Sequence, residues 1–158
     1  MSKKGLKKFL KKNGYYAIPI IITAPNGHMP AGHLFVSVKL NGKKALFMLD
    51  TGASVSVLDK SSVKKFKVKT GMEEDTEINA LSASGLLNNI DFSTENKLKL
   101  GKIKFQNVPL LIMDLSHLAN AEELSDLHID GVLGSDILYR GKAIIDYSRF
   151  YLFLKPEK

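Results

Sequence analysis

Between Phe47 and Val55 the chain reads Phe-Met-Leu-Asp-Thr-Gly-Ala-Ser-Val, which sets one carboxylate between an apolar run and a glycine turn. A charge in apolar surroundings is costly unless it is paired, hydrogen-bonded or protonated. An acid so placed, at Asp50, is a candidate general acid or base. Its neighbours supply what such a site needs. Gly52 lets the backbone approach and offer its amide to the carboxylate, and Thr51 carries a hydroxyl able to tie this loop to another. By composition alone, Asp-Thr-Gly arises by chance in roughly 3% of chains of this length, so the tripeptide needs a second signal.

The elements that must position Asp50 are short strands punctuated by turn residues. Residues 34–40 and 44–49 flank Asn41-Gly42, the pair favoured in tight turns with positive φ. This predicts a hairpin whose second strand runs directly into Asp50. Residues 16–23 read as a strand whose Pro19 suits an edge. Further strands are expected at 55–58, 97–100, 105–113, 143–146 and 150–154, with turns at Gly101-Lys102 and around Asp146-Tyr147. Ile78 to Ile90 has the form of a hairpin with the small tip Ser82-Ala83-Ser84-Gly85. Residues 114–128 are the best helix candidate, and Ser135 is placed to cap a short helix through Tyr139. No domain boundary and no repeat of 20–50 residues is visible.

The composition excludes several classes. The 158 residues contain no cysteine, which removes disulfide scaffolds, thiolate metal sites and cysteine nucleophiles. The four histidines, His28, His33, His117 and His128, have no metal-ligand spacing. No metal and no cofactor is expected. Asn41-Gly42-Lys43-Lys44 lacks the frame of a phosphate loop.

The net charge of +7 is concentrated at one end. Lys3, Lys4, Lys7, Lys8, Lys11 and Lys12 account for nearly all the excess, leaving a body close to neutral. Residues 1–14 are therefore read as a basic N-terminal tail and 15–158 as one domain, with no nucleic-acid partner. Leu6, Phe9 and Leu10 fall at i, i+3 and i+4, so the tail could lie as a short amphipathic helix on an acidic membrane. A frayed, solvated terminus is the reading preferred, because so short a helix is marginal in water. The lysines followed by Tyr15 to Ala24 also have the order of a secretory signal. Pro19, the β-branched isoleucines and the poor cleavage site at Ala24-Pro25 argue against that, and a soluble cytoplasmic protein is expected.

Phe47 to Leu58, together with Val132-Leu133-Gly134 some eighty positions later, resembles the retropepsin family, the aspartic proteases of retroviruses and their cellular and bacterial relatives. In that family a strand enters Asp-Thr-Gly-Ala or Asp-Thr-Gly-Ser, and a later strand with two apolar residues and a glycine threads through it in a ψ-shaped crossing. The segment Ile129 to Leu138 resembles the bacterial and pepsin-like form of that second element. The resemblance spans about residues 16–154 in element order.

It implies an all-β, closed-barrel-like retropepsin (acid protease) fold with one or two short helices. It implies Asp50 as the catalytic residue, with Thr51, Gly52 and Ala53 supporting its loop and Val132, Leu133 and Gly134 forming the crossing. It also implies that Ala80, Leu81, Ser82, Ala83, Ser84 and Gly85 belong to a flap over substrate; an ordinary surface hairpin is the equal alternative. The single Asp-Thr-Gly implies a homodimer in which a second copy supplies the other aspartate, acting on an extended peptide or protein substrate. Pepsin-like relatives often carry serine where Ala53 stands, so alanine implies a pH optimum less acid than pepsin's. Asp136 reads as a cap or brace of its helix, and Asp130 as structural. Two rivals remain: a non-catalytic dimerisation or peptide-binding module on the same fold, and a protein whose basic tail is its function.

Overall fold

The computed structural model describes residues 3–23, 32–71, 91–119 and 128–157. The flap candidates Ala80 to Gly85 lie outside these residues, as do positions 120–127 of the expected helix over 114–128.

The chain opens with helix α1 (Lys3–Lys12), followed by β1 (Tyr16–Pro19) and β2 (Ile21–Ile22). The hairpin β3 (Leu34–Leu40) and β4 (Lys43–Leu49) leads to the Asp50 loop. Next come β5 (Val57–Asp59), a 3-10 turn (Lys60–Ser62), β6 (Asp91–Leu100) and β7 (Ile103–Met113). The remaining elements are α2 (Ser116–Ala119), β8 (Gly131–Leu133), α3 (Ser135–Arg140), β9 (Ile144–Asp146) and β10 (Tyr151–Leu154).

Seven strands form one sheet in the order β2-β3-β4-β8-β5-β7-β6, and β6 returns to pair with β3. Six of them therefore close into a barrel, the retropepsin-like, mostly β fold expected from the sequence. Closure removes the open edges that a flat sheet would expose. A separate three-stranded sheet has the order β1-β10-β9. Pro19 sits on its edge strand β1, where a missing N–H costs no ladder bond.

Asn41 and Gly42 take φ of +48° and +86°, the positive values that a tight hairpin turn requires. Asn41 has a second task, one that tertiary contacts alone could show. Its Nδ2 donates to the Phe66 carbonyl at 3.1 Å and to Asn96 Oδ1 at 3.3 Å, and its Oδ1 accepts from the Lys97 amide at 2.9 Å. The turn residue thus staples the β3–β4 hairpin to β6, where the barrel closes.

Alternation along the strands divides the interior in two. Val36, Val38, Leu40, Phe47, Leu49, Leu133 and their partners fill the barrel. Phe35, Met48, Val57, Leu115, Ile129 and Val132 form a second cluster on the opposite faces of the same strands. Complete burial of a side chain such as Phe35 or Phe47 contributes about 1.5–3 kcal/mol. The strands carrying the Asp50 loop are therefore buried on both faces, which makes its base rigid.

The N-terminus differs from the frayed tail expected. Residues 3–12 are helical, Leu10 is 5% exposed, and Lys7 Nζ lies 4.1 Å from the centre of the Tyr151 ring. Burial of Leu10 supplies the packing that a ten-residue helix lacks in isolation. The apolar run after it is divided between β1 and β2. Among the described residues no helix is long and apolar enough to cross a membrane.

Candidate active site

β4 ends at Leu49, and the chain turns through residues 50–56 before returning as β5. Between the two strands lies β8, parallel to β4 with Leu49 opposite Leu133, and antiparallel to β5 with Val57 opposite Val132. The loop bearing Asp50 is thus slung across the end of β8, the strand that carries Val132 and Leu133. The Asp50 amide donates to the Leu133 carbonyl at 3.0 Å, carrying the ladder up to the acidic residue itself.

The Asp50 side chain is exposed, and its Oδ1 accepts the Gly52 amide at 2.8 Å. The loop therefore aims one carboxylate outward and holds it by its own backbone. Thr51 is exposed beside it, with no side-chain hydrogen bond among the described residues. It borders a shallow depression of about 520 Å³, whose lining includes Ser135, Leu138, Tyr139 and Ile145. Ala53 packs against the Phe35–Val132 cluster, and its carbonyl accepts from the Ser135 amide at 2.7 Å and the Ser135 hydroxyl at 3.0 Å.

Gly134 is required by close approach. A Cβ there would lie 2.8 Å from the Ala53 carbonyl oxygen and 2.9 Å from the Val55 carbonyl carbon, both backbone atoms of the Asp50 loop. Gly134 also occupies the position before α3, with no side chain to cap the helix. The cap expected of Ser135 is not formed. Ser135 is the first helical residue, and its hydroxyl is spent on Ala53.

Ser56 was missed by the sequence reading. It is fully buried, and its hydroxyl donates to Asp136 Oδ1 at 2.7 Å while accepting the Gly134 amide at 3.0 Å. Its own amide donates to Asp136 Oδ2 at 3.1 Å. The Asp136 carboxylate is therefore a brace between α3 and the Asp50 loop. The available signal was a serine between Val55 and Val57, a hydroxyl in an otherwise apolar strand, where burial demands a partner.

A similar hub lies lower in the crossing. Asp130 is buried and accepts from the Leu46 amide at 3.0 Å, the Ser62 hydroxyl at 3.0 Å and Lys65 Nζ at 2.8 Å. His128 Nε2 lies 3.3 Å from the same carboxylate. Asp59 joins the end of β5 to Leu115 and to Ser61 by the same logic. Both acids are consumed in structure.

A sequence model of the family described as aspartyl protease matches residues 36–137, well over half of the chain. The chain belongs to the aspartyl protease family. Its fold is similar to that of a retropepsin-like aspartic protease from Rickettsia conorii, with 24% identity, coverage of 89% of this chain and 88% of that one, and a TM-score of 0.51. It is also similar to the retroviral protease-like domain of Ddi1 from Leishmania major, with 16% identity, coverage of 77% and 87%, and a TM-score of 0.52. Among curated proteins no match was found. In this family member the matched segment contains the Asp50 loop, the barrel from Val36 of β3 onward and the Gly134–Asp136 brace. α1, β1, β2, β9 and β10 fall outside it.

Proposed function

We propose that this aspartyl protease family member is an endopeptidase whose active site is completed by a second copy of the chain, pairing Asp50 with Asp50 of the partner subunit. The observation that carries this reading is an outward-facing carboxylate on a loop braced from three sides, in a chain with a single Asp-Thr-Gly. A braced loop presenting an acid to open space suits a site that another surface must finish. Tyr139 supports the same reading. It lies beside Thr51 in the shallow depression and is 87% exposed, a large side chain left uncovered in one copy.

In such a pair two carboxylates within hydrogen-bond reach cannot both ionise, and they share one proton. The ionised member takes a proton from a water whose oxygen attacks the peptide carbonyl carbon. The protonated member gives its proton to the carbonyl oxygen, forming a tetrahedral diol. A proton passed to the amide nitrogen then releases the two products. Thr51 would brace the two loops across the axis, and an extended substrate would pair its backbone along the cleft.

The test is the Asp50→Asn variant beside the wild type, assayed on casein and a peptide library over a range of enzyme concentrations. The wild type is expected to cut, to lose specific activity on dilution as the pair dissociates, and to be inhibited by a statine-type compound. Asp50→Asn is expected to fold, bind peptide and cut nothing. Equal peptide binding with no cleavage by either protein would instead establish a non-catalytic module.

A further inference from the structure

Four lysines stand in a single row across the outside of the barrel. Lys44 on β4 is in register with Lys39 on β3, Lys39 with Lys99 on β6, and Lys99 with Lys104 on β7. Residues in register share a face, so these side chains all project from the same side of the sheet, opposite the inward-facing Leu40, Leu98 and Phe105. At about 4.8 Å per strand the row extends over roughly 14 Å. Lys97, two residues along β6, extends it sideways.

Like charges directly opposite one another destabilise a sheet. Here the arrangement is repeated three times, and among the described residues none of the four lysines forms an ion pair with a carboxylate. Of the two acids in β6, Asp91 and Glu95, the second faces Lys69 at 3.8 Å. Among the described residues the row therefore works against folding with no carboxylate to compensate it. It also lies away from the chemistry: Lys44 precedes Asp50 by six residues, about 20 Å along an extended strand.

The ground on both sides of the row is shaped. One shallow depression of about 400 Å³ holds Lys39, Lys44 and Lys99 against Ile18, Pro19 and Ile21. Another, of about 310 Å³, is bordered by Lys39, Lys97, Lys99, Lys104 and Gln106. Ile21 is 45% exposed, an apolar residue at the margin of a cationic strip.

We propose that the Lys44–Lys39–Lys99–Lys104 row is a docking site for an acidic, extended polypeptide segment with aliphatic residues between its carboxylates. Charge complementarity calls for an anion with several groups in line, and acids on one face of an extended chain recur every ~7 Å, so the row accepts about three of them. The depression beside Pro19 and Ile21 suits an aliphatic side chain rather than a phosphate. Phe105 is fully buried, so the row offers no exposed aromatic platform on which nucleic-acid bases could stack. Nor does it carry the cluster of large apolar side chains with which a protein inserts into a bilayer.

The experiment is a fluorescence-anisotropy titration with a short labelled peptide of alternating Glu and Val. It is performed on the full chain bearing Asp50→Asn, so that the probe is not cut and the outcome does not depend on proteolysis. Lys39→Glu/Lys99→Glu is expected to weaken binding by about tenfold or more while Tm stays the same or rises, because the like-charge contacts are relieved. Lys8→Glu/Lys12→Glu on α1, which changes net charge equally, is expected to leave the affinity within about twofold. The proposal is overturned by an undetectable complex, by equal affinity in the row variant, or by equal loss in the α1 variant. It is also overturned if a single-stranded oligodeoxynucleotide or phosphatidylserine vesicles bind more tightly than the peptide through the same lysines.

Discussion

The Ser56 hydroxyl donates to Asp136 at 2.7 Å and accepts the Gly134 amide at 3.0 Å, so one buried oxygen links the Asp50 loop to the segment that crosses beneath it. Seventy-eight residues separate Ser56 from Gly134. Through this oxygen the position of the carboxylate at 50 depends on a residue that faces away from it.

Ser56→Ala removes that link and leaves the Gly134 amide and a carboxylate oxygen without a partner in the interior. A loss of roughly 1–3 kcal/mol is expected, lowering Tm by about 2–4 °C per kcal/mol. Cleavage should fall further than folding, mainly in kcat, because Asp50 loses its fixed aim. Thermal melts and steady-state kinetics on the same preparation check this; an unchanged Tm would refute the brace.

Gly134→Ala drives a methyl group into the Ala53 carbonyl oxygen at 2.8 Å. Backbone cannot yield as a side-chain tip can, so the loop must shift. We expect a cost of about 1–3 kcal/mol from the forced displacement, with peptide cleavage abolished in protein that still folds. Circular dichroism alongside activity separates the two effects.

The Arg149 guanidinium donates to Asp146 at 2.6 Å, and the Ser148 hydroxyl donates at 2.7 Å. These hydrogen bonds, Arg149 first, hold the Asp146 carboxyl below its ordinary value. A carboxylate with a lowered folded pKa stabilises the protein above its unfolded value near ~3.9, and that stabilisation is lost as pH falls through the folded value. Asp146→Asn is therefore expected to melt earlier than the wild type at neutral pH, with the gap narrowing below about pH 4. A gap constant from pH ~7 to ~3 would contradict the linkage.

Leu10 is 5% exposed on α1, the helix that packs against β1 of the three-stranded sheet. Leu10→Ala should cost about 2 kcal/mol and release the helix, giving fast hydrogen exchange over residues 3–12 while the barrel amides remain protected. Equal protection in the variant would show that the helix is held by other contacts.

Much of this protein is legible along the chain because it depends on neighbours in sequence. Asn41-Gly42 demands positive φ, so the β3–β4 hairpin follows, and the hairpin delivers Leu49 into Asp50-Thr51-Gly52. The pairing of that tripeptide with Val132-Leu133-Gly134 pointed to the family. The split of residues 16–23 into β1 and β2 was not visible, since it depends on two different partners, β10 and β3. The expected caps and tail failed for a related reason. Ser135 had the right type for a cap, but the Ala53 carbonyl competed for its hydroxyl, and burial of Leu10 outweighed the weak intrinsic helicity of residues 3–12.

From the residue order alone came most of the strands, the tight turn, the candidate acid and its family, because periodicity and turn chemistry act over a few positions. The apolar surroundings expected for Asp50 gave way to an exposed carboxylate, because the loop carries it beyond the end of β4. Tertiary structure alone decided that Ser56 meets Asp136, that Asn41 closes the barrel, and that Lys39 stands opposite Lys99. Those contacts join positions tens of residues apart. They exist only because the burial of two apolar faces bends the sheet until β6 meets β3.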